Sequence, residues 1–113
     1  MMQKTAVVAL LSAWPLVAAA QSDTPALNPK ELAGMRLFNQ SCRVCHTKPL
    51  ITAGQYGPVL SRESLGGDEA ALHDFIANGT QRMPGFKITY TPEQIDSIVA
   101  YLMTVPPQAA PPK

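Results

Sequence analysis

The chain has 113 residues, of which 46% are hydrophobic and 15% are charged, and its formal net charge is +1. A chain of this length forms one small domain, and its nearly balanced charge gives no indication of nucleic-acid binding. Its only two cysteines are Cys42 and Cys45. Because they are so close in sequence, a disulfide between them could not link distant segments of the chain. So small a domain has a thin core, and we expect a bound group to complete it.

Residues 1–20 have the features of a secretory signal peptide. Lys4 provides the basic start, Thr5–Val17 form the apolar segment, and the alanines at 18–20 provide a small-residue cleavage site. A membrane anchor is the alternative, but the apolar segment is shorter than the ~20 residues that cross a bilayer. No later segment is long and apolar enough to do so. We therefore predict cleavage after residue 20 and a mature chain without a membrane span.

A flexible lead-in at 21–27 precedes the first predicted helix. Asn28 is placed to cap this helix, Pro29 suits its first turn, and Glu31 completes a capping box. Further along, a glycine inside a helix costs about 1 kcal/mol relative to alanine. Gly34 therefore indicates either the close approach of another backbone or a glycine that is merely tolerated.

The segment Ser41–His46 contains the sequence Cys-x-x-Cys-His, which is the attachment signature of c-type haem. On a helical turn, Cys42, Cys45 and His46 project from one face. The two thiols can then add to the two vinyl groups of haem, while the imidazole becomes an axial ligand of the iron. We therefore predict one haem c, bound covalently through Cys42 and Cys45.

Three other interpretations of this segment remain open. A thiol–disulfide redox pair is typical of alternating strands and helices, which the surrounding sequence does not predict. A zinc site would combine Cys42, Cys45 and His46 with His73, although adjacent ligands depart from the usual spacing of structural zinc sites. The third interpretation is a chance match, against which the secretory leader argues.

The rest of the chain is predicted to be helical or irregular, so that the domain is all-α, with about three main helices and long loops wrapped around one haem. Unstructured loops longer than ~12 to 15 residues are uncommon in compact domains unless they have a task, and enclosing a haem is such a task. In chain order the predicted segments are a loop at 47–67, a helix at 68–78, an irregular stretch at 80–90, a helix that starts at the Thr91 capping box and ends before Pro106, and a disordered Pro/Ala-rich tail at 106–113.

A second axial ligand decides whether such an iron carries electrons or binds small molecules. Met83 lies in an irregular stretch that is far enough from the attachment segment to reach the opposite face of the haem, and Pro84 favours an extended backbone there. We predict that Met83 is this ligand, with a methionine that merely fills space as the alternative. An open site would instead indicate a haem-based sensor or enzyme. The remaining candidates, which we expect to be packing or surface residues, are Met35, Met103 and His73.

Several residues outside the haem motif complete a recognisable pattern. They are Gly34, Phe38, the segment 57–60, Gly79, Met83, Pro84, Ile98 and Tyr101. Together with Cys-x-x-Cys-His, this pattern resembles the class I mono-haem cytochromes c over residues 28–105. The resemblance implies that the first and last helices cross at Gly34, with Phe38 near Tyr101. It also implies that the carbonyl of Pro58 accepts a hydrogen bond from His46.

The resemblance further implies a carrier of single electrons in the bacterial periplasm, and not an enzyme. Its partners would be redox proteins, namely a dehydrogenase or other reductase and a terminal acceptor such as an oxidase, and it would act as a monomer or as a subunit of a redox complex. One departure is that the chain has no Trp after the leader. The Trp that donates to a haem propionate in some members is therefore missing, and Tyr56, Gln81 and Arg82 are alternative candidates for that contact.

Overall fold

The structure, a computed structural model, describes residues 25–47 and 56–108. The predicted signal peptide, most of the lead-in, part of the first loop and the end of the tail lie outside these residues. None of the helices in the described ranges is both long enough and apolar enough to cross a membrane. The elements are α1 (Pro29–Ser41), α2 (Arg43–His46), a short 3-10 turn (Ser64–Gly67), α3 (Glu69–Asn78) and α4 (Pro92–Thr104). The predicted all-α architecture is thus confirmed, with α2 as a single additional turn.

Capping boxes begin both long helices, as predicted. At α1 the side chain of Asn28 accepts from the backbone N–H of Glu31 at 2.9 Å, and the Glu31 carboxylate accepts from the Asn28 N–H at 2.8 Å. Thr91 and Gln94 form the same reciprocal pair at α4, with distances of 3.3 and 2.9 Å. Because each box satisfies backbone donors that have no partner inside the helix, both starting points are encoded locally.

Helices α1 and α4 cross at Gly34, which is buried. A Cβ atom at this position would overlap the backbone carbonyl of Ser97 in α4, so only glycine permits this approach. Next to the crossing, the rings of Phe38 and Tyr101 pack with centroids 5.5 Å apart and an interplanar angle of 54°. The close-approach interpretation of Gly34 is therefore confirmed, and this crossing fixes the position of the end of α1.

The hydrophobic core lies mainly on α4 and α3. The side chains of Ile95, Ile98 and Leu102 in α4 are almost completely buried. They pack with Val99 of the same helix and with residues of α3 and of the segment before α4, namely Leu72, Ile76, Ala77 and Tyr90. The core is small, as expected for a chain of this size, and one side of it faces the cavity described below.

The loop before α3 contains the 3-10 turn, which the sequence did not predict. Ser64 Oγ accepts from the backbone N–H of Ser61 at 3.0 Å, and Ser61 Oγ accepts from the N–H of Glu63 at 3.2 Å. Because hydrogen bonds between side chains and backbone stabilise this turn, no regular spacing of hydrophobic residues marks it in the sequence. The turn brings Leu65 into the left-handed region, with φ of 52°. That conformation is unfavourable for a residue other than glycine and places Leu65 beside the cavity.

Candidate functional site

A cavity of about 620 Å³ lies between the end of α1, α2, α3 and two irregular segments. Its walls include all five residues that the sequence analysis predicted to hold the haem or its iron, namely Cys42, Cys45, His46, Pro58 and Met83. The volume lies in the range of cavities that enclose cofactors and other small molecules. The fold thus brings together two segments that are distant in sequence, the attachment segment and the segment around Met83.

The cavity wall is strongly apolar where it meets the surface. Among the described residues, six large hydrophobic side chains are exposed, and all but Ile88 line the cavity. The exposed wall residues are Val44, Tyr56, Val59, Leu65 and Phe75. Val44 reaches 84% exposure. Exposed apolar side chains grouped in this way mark a surface that another group covers, and here the cavity itself is the place for an apolar ligand.

The attachment segment forms a helical turn at the end of α1. The backbone N–H of His46 donates to the carbonyl of Cys42 at 3.1 Å, which is the bond of an α-helical turn. Neither cysteine is in a disulfide, and both face the same cavity as His46. This is the arrangement that covalent attachment of a haem and ligation of its iron by one segment require.

The environment of Cys42 disfavours the thiol–disulfide interpretation. Its side chain is 6% exposed. Burial, together with the neighbouring Cys45, raises the pKa of the Cys42 thiol to about 11. Before any covalent attachment Cys42 is therefore protonated at neutral pH, whereas the attacking cysteine of a disulfide-exchange pair has a lowered pKa.

The zinc interpretation would need His73 beside the attachment segment, and the structure places this residue elsewhere. His73 Nε2 lies 3.6 Å from the carboxylate of Asp96, in a shallow cleft between α3 and α4. Within residues 25–47 and 56–108, no group of three or more His, Cys, Asp or Glu side chains is arranged to hold a metal ion. The four candidate zinc ligands are thus not brought together.

The loop 56–58 contacts the ring of His46 directly. Nδ1 of His46 lies 2.8 Å from the carbonyl oxygen of Pro58. Because a carbonyl can only accept, Nδ1 carries the proton in this contact, and the lone pair of Nε2 is left available for a metal. Gly57 permits the approach, since a Cβ there would lie 2.8 Å from Cε1 and 2.9 Å from Nδ1 of the ring.

Met83 is held in a short loop that begins where α3 ends at Gly79. The hydroxyl oxygen of Thr80 accepts from the backbone N–H groups of Arg82 and Met83, each at 3.2 Å. The N–H of Thr80 also donates to the carbonyl of Met83 at 2.8 Å. After the loop, Phe86 N–H donates to a carbonyl of α3 at 2.9 Å, so both ends of the loop are fixed to the same helix.

The methionines differ in their relation to the cavity. Met83 is half-buried, packs against the core and lines the cavity. Met103 packs against the core and Met35 is half-buried in α1, and neither lines the cavity. The donor set facing the cavity is therefore two thiols, an imidazole with a free Nε2 and one thioether. These groups, with the apolar walls, fit a covalently bound haem with two axial ligands.

Three features around the cavity were not predictable from the sequence. The guanidinium of Arg82 stacks over the ring of Tyr56, with Cζ 4.8 Å from the centroid. The hydroxyls of Ser41 and Tyr90 are hydrogen-bonded and join the end of α1 to the segment before α4. Leu65 reaches the cavity only through its left-handed backbone. The first two join distant segments, for which no local pattern exists, and the third depends on a turn without a helical period.

Comparisons with known proteins agree with this geometry. A family model described as cytochrome c oxidase, cbb3-type, subunit III, matches residues 29–102. The chain is 32% identical over 83 residues to cytochrome c6 of Nostoc sp. (strain PCC 7120), a match that covers 71% of this chain and 75% of the relative. The solved structure of cytochrome c6 from the diatom Phaeodactylum tricornutum is similar, with a TM-score of 0.51 and 25% sequence identity over 65% of this chain and 90% of that chain. The chain therefore belongs to the mono-haem cytochrome c family, which implies a covalently bound haem c.

Proposed function

We propose that this protein carries single electrons between redox proteins of the bacterial periplasm. One haem c is bound through Cys42 and Cys45, with His46 and Met83 as its axial ligands. The proposal depends on one observation, that Met83 lines the same cavity as His46 whereas the other two methionines after the leader do not. When bound, the haem supplies an iron that alternates between the ferric and ferrous states. With two protein ligands the iron has no position for a substrate, so the protein is not an enzyme.

The residues around the cavity have separate tasks in this proposal. The carbonyl of Pro58 orients the imidazole of His46 and increases its donor strength by accepting the Nδ1 proton. The neutral, soft thioether of Met83 favours ferrous iron relative to a second imidazole, so it raises the reduction potential. Leu72 and Ile76 form part of an apolar wall that excludes water from the site. In such a site the charge of the iron changes with little rearrangement.

The proposed location and the proposed partners are supported by two different observations. The signal peptide predicted at residues 1–20 supports export. The matching family model describes a subunit of a terminal oxidase, which supports an oxidase as the electron acceptor. A dehydrogenase or other reductase would then be the donor. The protein would act as a monomer or as a subunit of such a redox complex.

Met83→Ala tests the proposed ligand directly. The ferric holoprotein should show the weak far-red absorption band that reports ligation by a thioether sulfur, and this variant should abolish it. Because the sixth position would then be open, the variant should also bind cyanide or imidazole without first displacing a protein ligand. Absorption spectra of the ferric protein and ligand titrations measure both effects.

Met35→Ala and Met103→Ala are the matched controls, since these methionines lie outside the cavity wall. Both variants should retain the far-red band. A band that survives in Met83→Ala would contradict the ligand assignment. A wild-type protein without the band would instead favour an open distal site, as in a haem-based sensor or enzyme.

A further inference from the structure

Two loops face each other across the mouth of the cavity. The His loop, residues 56–58, carries the carbonyl that contacts His46. The Met loop, residues 79–85, carries Met83. The guanidinium of Arg82 in the Met loop lies over the aromatic ring of Tyr56 in the His loop, with Cζ 4.8 Å from the ring centroid. This contact joins the segment that supports one proposed axial ligand to the segment that carries the other.

The position of Arg82 is tied to that of Met83 by the internal bonds of the Met loop. The hydroxyl of Thr80 accepts from the N–H groups of both residues, and both side chains line the cavity. The loop is anchored to α3 on either side, by N–H donation from Gly79 to Phe75 at 2.8 Å and from Phe86 to the same helix at 2.9 Å. A shift of Met83 away from the cavity therefore also moves Arg82 away from Tyr56.

We propose that Arg82 and Tyr56 are positioning residues, which form a clasp across the mouth of the cavity and hold Met83 against displacement by external ligands. This inference rests on the proposed function, because it requires Met83 to be an axial ligand. The clasp is a surface contact, since Tyr56 is 57% exposed and Arg82 is also exposed. Its removal therefore leaves the hydrophobic core intact, and the variants that test it should fold.

Thermodynamic linkage sets the size of the effect. An external ligand that displaces Met83 must also break the clasp, so its apparent affinity is lowered by the strength of that contact. Guanidinium–aromatic contacts at exposed sites correspond to a change of about two- to fivefold in an equilibrium constant. Loss of either partner should therefore raise the affinity of the ferric protein for a displacing ligand by about that factor.

Arg82 has one competing explanation, in which its charge acts on a haem propionate and Tyr56 plays no part. The two explanations differ in what Tyr56 does. If the two residues form a clasp, removal of the Tyr56 ring raises the affinity for the displacing ligand as much as removal of the Arg82 guanidinium does. Removal of both groups then raises the affinity no further. Tyr56→Phe keeps the ring, so it should preserve the clasp. With a propionate contact, only substitution of Arg82 would change the affinity.

Imidazole titration of the ferric holoprotein tests the clasp, with loss of the far-red sulfur band as the readout. Tyr56→Leu and Arg82→Gln should each raise the affinity for imidazole about two- to fivefold, and the double variant should match the single ones. Tyr56→Phe should retain the wild-type affinity. Arg36→Gln removes a positive charge from an exposed position on α1 outside the cavity wall, and it should also leave the affinity unchanged.

Three results would overturn the inference. The first is an unchanged affinity in Tyr56→Leu, and the second is strict additivity of the two single variants. The third is an increase in imidazole affinity in Arg36→Gln as large as that in Arg82→Gln, which would indicate a general effect of charge. In all three cases the wild-type far-red band remains, so the proposed function survives. Absence of that band in the wild-type protein would overturn the proposed function and the clasp together.

Discussion

The ring of His46 is oriented by a loop that comes unusually close to it. Gly57 donates its N–H to the carbonyl of Cys45 at 2.8 Å, and the next residue presents its carbonyl to the imidazole. A side chain at residue 57 would collide with the ring. The absence of a Cβ thus allows the hydrogen bond of Pro58, although glycine itself contributes no chemical group. A backbone carbonyl that accepts the Nδ1 proton increases the basicity of the imidazole, which favours ferric iron.

Gly57→Ala should weaken this hydrogen bond, because the loop or the ring must move to accommodate the methyl group. If the bond is stronger in the ferric than in the ferrous state by about 0.5–1.5 kcal/mol, its loss would raise the reduction potential by roughly 20–60 mV. Redox titration of the holoprotein measures the shift. Ala33→Gly is the control, since this exposed residue of α1 lies outside the cavity wall and its substitution should leave the potential unchanged. An unchanged potential in Gly57→Ala would show that the hydrogen bond does not tune the iron.

At the scale of elements, the crossing of α1 and α4 determines where the attachment segment lies. The crossing places Gly34 of α1 on the backbone of α4 at Ser97, and Phe38 packs on Tyr101 one turn further along. The helix then ends at Ser41, and the N–H of the following residue, Cys42, donates to the carbonyl of Phe38 at 2.8 Å. The two thiols are therefore positioned by a helix that is itself fixed by a contact between backbones.

Gly34→Ala should destabilise the protein although alanine is the better helix former. Alanine gains about 1 kcal/mol in helix propensity, but its methyl group overlaps the carbonyl of Ser97 and forces the helices apart. Such overpacking typically costs about 1–3 kcal/mol and occasionally more, so the net free energy of unfolding should fall. Denaturant unfolding of the holoprotein measures this change. Ala33→Gly at the exposed neighbouring position should lose only the propensity difference. A more stable Gly34→Ala variant would contradict the close packing.

The helices were predictable from the sequence because their signals are local. The Asn28 and Thr91 capping boxes fix two helix starts, and Gly79, with φ of 70°, ends α3 where the sequence predicted. The crossing at Gly34 followed from the family resemblance, since the helix by itself left a tolerated glycine equally open. The turn at Ser64–Gly67 escaped prediction because serine hydroxyls stabilise it and no apolar period marks it.

Five residues of the cavity wall were selected from the sequence to hold the haem or its iron, a role that stays a prediction. Cys42, Cys45 and His46 are recognisable from their spacing alone, and Met83 from its position in a loop before proline. Val59 and Leu60 of the apolar wall were expected to face the haem, but other wall residues were not predictable, since an exposed Val44 or Phe75 has no pattern that separates it from a core residue. The contact between Arg82 and Tyr56 joins two irregular segments, and only the tertiary structure brings such segments together.

At the scale of the whole molecule, the core and the cavity share a wall. Leu72, Ile76 and Leu102 are among the most buried residues of the core, and the same three side chains line the cavity. The rest of the cavity wall includes apolar side chains that remain exposed in the polypeptide alone. A bound haem would therefore join them and the core into one continuous apolar interior. Small domains commonly depend on a bound group in this way.

If haem attachment is prevented, the protein should therefore no longer unfold cooperatively. A Cys42→Ala/Cys45→Ala chain should unfold over a broad range of denaturant and lose its resistance to protease, because the cavity walls are left without a partner. Circular dichroism and limited proteolysis measure these two properties. A second haem-free sample is wild-type protein from which the haem has been removed by chemical cleavage. It retains the buried Cys42 side chain, so it separates the effect of losing the haem from the effect of losing that side chain. Met83→Ala, which keeps both attachment cysteines, should still unfold cooperatively. A sharp unfolding transition in both haem-free chains would show that the helices α1, α3 and α4 form a complete core by themselves.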